Sequence, residues 1–106
     1  MASNKDFVQY IADQCANAGE ITFKKMFGDY GIYCNGKIFG LICDDRFFVK
    51  PTEAGHSLLR NVDMRPPYEG AKDYFYIADV DDRDYISTLV SETCKDLPMP
   101  KARKNS

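Results

Sequence analysis

The sequence lacks several features that point to particular classes of function. Its 106 residues contain no tryptophan and one histidine, and the four cysteines form no Cys-x-x-Cys pair. This residue set does not provide the usual ligands of a zinc site. No apolar run approaches the roughly 18 residues that span a membrane, and residues 1–9 lack the basic and then apolar pattern of a secretion signal. We therefore expect a cytoplasmic protein without a metal, a cofactor or a membrane segment.

The chain also lacks an excess of charge of either sign. Fourteen basic and sixteen acidic residues give a formal net charge of −2, so direct, charge-driven DNA binding is not expected. The composition of 44% hydrophobic and 28% charged residues is typical of a globular protein. The length predicts one domain, which we place at residues 1–97. Residues 98–106 carry three basic side chains and no acidic one, and we expect them to form a frayed basic tail.

Apolar residues recur at helical spacing near both ends of the chain. One stripe consists of Phe7, Val8, Ile11, Ala12 and Cys15, and the other of Tyr85, Ile86, Leu89, Val90, Cys94 and Leu97. These stripes predict two long helices. A short third helix is predicted to begin at Thr52.

The middle of the chain has the pattern of an antiparallel sheet. Asn35-Gly36 is a strong signal for a two-residue hairpin turn, and Asp44-Asp45 supplies a second turn. Together they predict a meander with strands at about 29–34, 37–43 and 46–50. Residues 22–27 and 74–77 are predicted to add strands, and a short strand is predicted near Tyr68, before Gly70. The predicted fold class is therefore α+β, with a sheet of four to five strands packed against two long helices and one short helix.

An unbroken pairing from the Asn35-Gly36 turn places Ile32 opposite Phe39 and Gly31 opposite Gly40. Both faces of the meander are then largely apolar, whereas a half-exposed sheet normally alternates apolar with polar residues. We therefore expect one face to be a partner or homodimer interface. The candidate interface residues are Tyr33, Ile38, Phe47 and Val49. The two opposed glycines would form a notch on that face, able to admit a helix or a ligand.

The sequence contains no recognisable catalytic constellation. The ends of the meander that carry Cys34 and Cys43 are separated by about 20 Å of strand, which is too far for a disulfide. We expect all four cysteines to be free thiols. One enzymatic alternative stays open, namely thiol chemistry at Cys34, next to an exposed turn. The acidic run 79–82 is interpreted as helix capping and not as a cation site.

Residues 23–42 resemble the N-terminal domain of the TfoX/Sxy family of competence regulators. The resemblance consists of the pattern K-M-F-G-x-x-G-I-Y, then G-x-x-F-G-L, then residues 45–50, with a weaker similarity at 67–76. The signature positions are Met26, Phe27, Gly28, Gly31, Tyr33, Gly36, Phe39 and Gly40. The resemblance implies an α+β domain without a cofactor or known catalysis. It also implies a regulatory role, since two-domain members activate natural transformation genes together with the cyclic-AMP receptor protein.

Two functional hypotheses follow for this chain. The first is a non-enzymatic regulatory module that binds a protein partner, such as the transcription machinery, a regulator or a second copy of itself. The second is a small-ligand or nucleic-acid binding domain that uses the glycine notch and the aromatic rim of the sheet. A gel shift across a salt series distinguishes them, because specific nucleic-acid binding would persist at about 150 mM salt.

Overall fold

The computed structural model describes residues 4–26 and 29–98. Its three helices are α1 (Lys5–Gln14), α2 (Glu53–Leu58) and α3 (Arg83–Asp96). Each begins after a residue whose side-chain oxygen accepts a hydrogen bond from a backbone N–H of the first turn. These caps are Asn4, Thr52 and Asp82, with distances of 2.7, 3.0 and 3.2 Å. Each cap satisfies a backbone N–H that has no partner inside the helix. No helix in the described ranges is long and apolar enough to cross a membrane.

In the described residues, six antiparallel strands form one sheet in the order β1-β2-β3-β4-β6-β5. They are β1 (Ile21–Met26), β2 (Asp29–Cys34), β3 (Lys37–Cys43), β4 (Arg46–Val49), β5 (Met64–Arg65) and β6 (Tyr74–Ile77). The predicted α+β class is confirmed. The sheet has one strand more than the predicted four to five, because β6 pairs on its outer side with the two-residue β5. Such a short strand has too few residues to show an alternating pattern in the sequence.

Both predicted hairpin turns of the meander are present. Asn35 and Gly36 have φ values of 53° and 83°, and Asp44 and Asp45 have φ values of 53° and 58°. Positive φ at both central residues matches the right-handed twist of the flanking strands. Asp tolerates this conformation better than most residues do, because its short polar side chain can bond locally.

The pairing of β2 with β3 differs from the prediction by one residue. Tyr33 faces Ile38 as expected, but Ile32 then faces Gly40, and Gly31 faces Leu41. Phe39 is the extra residue of a bulge at this register shift. The predicted opposition of Gly31 and Gly40 is therefore wrong. β3 pairs with β4 across the predicted Asp44-Asp45 turn, with Gly40 opposite Val49.

Because of the bulge, the β3 and β4 residues that follow Phe39 point to the side of the sheet opposite to the predicted one. Phe39, Ile42, Phe47 and Val49 all join the core beneath the helices and are fully buried. Two of the four candidate interface residues, Phe47 and Val49, are thus core residues. The prediction was wrong for them because an unbroken register was extended past Gly40, and a one-residue slip turns every later side chain to the opposite face.

The helices pack on one side of the sheet. The core consists of side chains from α1 and α3 and from the facing side of β2, β3, β4 and β6. The strands supply Ile32, Cys34, Phe39, Ile42, Phe47, Val49, Phe75 and Ile77 to it, and α1 and α3 supply Val8, Ile11, Ala12, Ile86, Leu89, Val90 and Cys94. The opposite side of the sheet carries no helix in the described residues. We call that side the open face.

Gly36→Val should destabilise the protein by about 1–3 kcal/mol, because a β-branched residue resists the positive φ at this turn position. Space is not limiting, since nothing lies within 4 Å of the position that a Cβ would occupy. Urea unfolding of the variant and the parent measures the difference. Coincident unfolding curves would contradict the turn assignment.

Gly40→Ala should destabilise the protein more than Gly36→Ala, by about 3 kcal/mol against about 1 kcal/mol. A Cβ on Gly40 would lie 2.3 Å from the backbone oxygen of Phe48, so the two strands would have to separate. The same urea experiment ranks the two variants. The reverse ranking would show that β4 does not approach Gly40 this closely.

Candidate functional site

The open face carries a second cluster of apolar side chains, separate from the main core. Strand alternation and the observed register place on it Met26, Tyr33, Ile38, Leu41, Cys43, Phe48, Tyr74 and Tyr76. Phe48 and Cys43 are only 2% and 4% exposed, and the other six are half-buried. No helix of the described chain covers these residues, so the half-buried members of the cluster form an accessible apolar surface on the open face.

Cationic side chains lie against aromatic rings on this face. The Nζ of Lys24 is 5.8 Å from the centre of the Tyr33 ring, and the guanidinium carbon of Arg65 is 4.5 Å from the centre of the Tyr76 ring. Tyr76 also contacts Phe48, with 5.6 Å between ring centres. A cation therefore lies beside each of these two rings.

The predicted glycine notch does not exist. A Cβ built on Gly31 would lie 3.0 Å from Met26 Cε and 3.1 Å from Ile38 Cδ1, so these two side chains fill the space above Gly31. Gly40 faces the backbone oxygen of Phe48 on its own sheet. The two glycines serve close packing within the sheet and leave no opening for a helix or a ligand.

A groove of about 450 Å³ opens at one end of the open face. It lies between the strands β1 to β3 and the segment that follows β5. Its lining consists of Met26, Asp29, Tyr30, Leu41, Cys43 and Tyr68. Sequence reasoning did not select Asp29, Leu41, Cys43 or Tyr68 as site residues. Leu41 and Cys43 could have been found from the bulge that Gly40 signals, because an isolated glycine within a strand pattern indicates one.

Three of the four cysteines lie in the main core. Cys15 and Cys34 are fully buried, and Cys94 is 5% exposed. The Cys94 thiol donates to the Cys34 carbonyl oxygen at 3.4 Å, and the Cys34 thiol donates to the Ala18 carbonyl oxygen at 3.7 Å. All four cysteines are free, as predicted.

Burial suppresses the reactivity of these thiols. It raises the pKa of Cys15 and of Cys34 to about 12, with a smaller contribution at Cys34 from the neighbouring Cys94 thiol. At Cys43 burial and then the negative charge of Asp29 raise the pKa to about 11. The thiolate is the nucleophile, so the environment of Cys34 opposes the thiol chemistry that its position beside the turn suggested.

The other polar residues singled out in the sequence have structural partners. Asp82 caps α3 and pairs with Arg60, which lowers the pKa of its carboxyl. The capping interpretation of the acidic run therefore holds for Asp82. His56 is exposed at α2, with its ring 6.2 Å from that of Phe75. Residues 4–26 and 29–98 contain no group of three or more His, Cys, Asp or Glu that could hold a metal ion.

The signature positions divide between the turn, the bulge, the core and the open face. Gly36 is in the turn, Phe39 and Gly40 form the bulge, and Gly31 lies beneath Met26. Tyr33 is half-buried on the open face. Phe27 and Gly28 lie outside the described residues, as does the predicted basic tail beyond residue 98.

The free energy of unfolding should fall as the pH rises from about 9 towards 12. The thiols of Cys15, Cys34 and Cys43 have pKa values of about 11 to 12 in the folded chain, against 9.0 ordinarily. The unfolded chain therefore loses these protons first, and unfolding becomes more favourable at high pH. Urea unfolding at a series of pH values measures the slope.

Cys15→Ala should reduce that slope, because it removes one of the shifted thiols. Thiol titration gives an independent check, with four reactive groups in denaturant without reductant and slow modification in the native protein. A Cys15→Ala slope equal to that of the parent, or rapid native modification of all four thiols, would contradict this account of the core.

Comparison with known proteins places the chain in a family. The model of the TfoX N-terminal domain matches residues 13–97. The chain is 35% identical over 105 residues to a protein of Spirochaeta aurantia described as an uncharacterized 12.7 kDa protein in the trpE 5' region. That alignment covers 98% of this chain and 91% of the relative. The chain belongs to the TfoX N-terminal domain family.

Proposed function

We propose that this protein is a non-enzymatic regulatory module that binds a protein partner through the open face of its sheet. The observation that carries the proposal is the second apolar cluster on that face. The cluster contains half-buried Met26, Tyr33, Ile38 and Leu41, and the helices of the described chain all pack on the other side. An apolar surface of this kind on a small domain is typical of an interaction site.

The non-enzymatic part of the proposal is supported by the state of the most nucleophilic side chains. Cys34 is fully buried, and its pKa is raised to about 12 by that burial. His56, the one histidine of the chain, is exposed, and the centre of its ring lies 6.2 Å from the centre of the Phe75 ring. These side chains do not form the nucleophile and base pair that covalent catalysis requires.

The regulatory part of the proposal comes from membership of the TfoX N-terminal domain family, which suggests a competence-related regulatory role. The proposed partner is a cytoplasmic protein of the transcription machinery or a regulator. A second copy of the chain is an alternative partner for the same surface, because closed two-fold symmetry is the commonest way to bury an apolar face.

Ile38→Glu should leave the protein folded and weaken partner binding. Ile38 is half-buried on the open face, and a carboxylate there would have to lose its water when a partner covers it. We expect at least a tenfold loss of affinity, which corresponds to about 1.4 kcal/mol. Affinity capture from the native cell identifies the partner, and isothermal titration with the purified partner measures the loss.

Two matched variants control this experiment. Thr88→Glu adds the same charge at an exposed position of α3 and should leave binding intact. Phe47→Glu places the charge in the core and should unfold the chain. Sedimentation equilibrium at tens of micromolar tests the second copy. The proposal fails if Ile38→Glu unfolds the chain. It also fails if the Ile38→Glu variant stays folded and binds every captured protein as tightly as the parent does, while the parent and the variant both sediment as monomers of about 12.1 kDa.

A further inference from the structure

We propose that the groove at the end of the open face binds a small organic cation that carries an aromatic or other apolar body. This inference does not depend on the proposed partner binding, and it assigns a ligand class to a site that the family membership does not describe. Three features carry it, namely the volume of the groove, the apolar character of its walls and the sign of the charge at its polar end.

The groove has the volume and the lining of a small-molecule site. Its volume of about 450 Å³ lies within the range of roughly 300–1,000 Å³ that ligand pockets occupy. Met26 and Leu41 form apolar parts of its wall and are half-buried. Binding becomes more favourable when a ligand removes the remaining apolar surface of such side chains from water.

Tyr68 gives the groove an exposed aromatic wall. Its side chain is 59% exposed, the highest value among the large hydrophobic residues of the described chain. It lies in the segment between β5 and β6, opposite the sheet residues of the groove. An aromatic ring in that position can stack on an apolar ligand body, a geometry that contributes beyond the buried area alone.

The charge at the polar end of the groove is negative. Among the described residues, Asp29 is the one charged residue in the lining of the groove. The charges that raise the pKa of the Cys43 thiol, after its burial, are those of Asp29 and Asp44. Arg46 projects from the same face beside Cys43, but it is exposed and is not part of the lining.

Asp29 is held in place by the turn that joins β3 and β4. Its Oδ1 accepts the backbone N–H of Asp44 at 3.2 Å. A carboxylate has about four lone-pair sites, so several donors can share it. The fixed carboxylate favours an ammonium group over a neutral or anionic one at the same position.

Three probes with a similar aromatic body and different charge test the proposal. They are 2-phenylethylamine, 2-phenylethanol and 3-phenylpropanoate, titrated into the ¹⁵N-labelled full chain while the backbone amides are followed by NMR. Molecules of this size bind at micromolar to millimolar concentrations at best. We expect saturable shifts at the groove residues, with the amine binding about tenfold more tightly than the alcohol, and the carboxylate binding most weakly.

Two variants separate the charge from the apolar wall. Asp29→Asn keeps an acceptor for Asp44 and should reduce the affinity for the amine to that for the alcohol, without changing the affinity for the alcohol. Tyr68→Ala should weaken both probes about threefold to tenfold and leave the fold intact, because the ring is largely exposed. Asp13→Asn, an exposed carboxylate on α1, is the matched control and should change neither affinity.

Two outcomes would overturn the proposal. Equal affinities of the parent for the amine and the alcohol would show an apolar surface without charge selection. The absence of shifts at the groove amides would show that no ligand of this class binds there, and that the groove belongs to the protein interface alone. Neither outcome affects the Ile38→Glu test, so the two proposals fail independently.

Discussion

The close approach of β4 to Gly40 is the constraint on which the arrangement of this domain depends. A Cβ at this position would collide with the backbone oxygen of Phe48, so the residue has to be glycine for the strands to meet. Next to it, Phe39 is the extra residue of the bulge and places its ring in the core. The strand register after the bulge determines which face each side chain of β3 and β4 occupies. Ile42 and Phe47 point into the core, and Leu41 points to the open face.

This register produces two apolar clusters, one on each side of the sheet. The inner one is closed by α1 and α3 and contains three buried thiols and fully buried aromatic rings, which is the composition of a structural core. The outer one has buried residues such as Phe48 beside half-exposed ones such as Ile38. Of these two clusters in the described chain, the outer one is accessible, so the proposed partner surface and the proposed ligand groove both lie on the open face.

Local signals predicted most of the fold. Asn35-Gly36 specified its turn because glycine and asparagine tolerate positive φ. The helical stripes specified α1 and α3 because the spacing of their apolar residues leaves one face for the core. The short strand predicted near Tyr68 lies earlier in the chain, at Met64–Arg65, because two residues are too few to carry a periodic signal that fixes their position.

The candidate site was predicted only in part. Tyr33 and Ile38 were assigned to the open face correctly because they precede the bulge, counted from the Asn35-Gly36 turn. Phe47 and Val49 were misassigned because they follow it. Tyr68 lines the groove because the loop between β5 and β6 packs beside the sheet, and strand periodicity does not predict the position of a loop.

The most direct test of this account is the register of β2 against β3 in solution. Cross-strand nuclear Overhauser effects between backbone protons report which residues face each other in an antiparallel pair, because opposed Cα atoms lie only about 4.5–5.5 Å apart. The account predicts cross-strand contacts between Gly31 and Leu41 and between Ile32 and Gly40. Contacts between Gly31 and Gly40, with Ile32 opposite Phe39, would remove the bulge and with it the assignment of the open face.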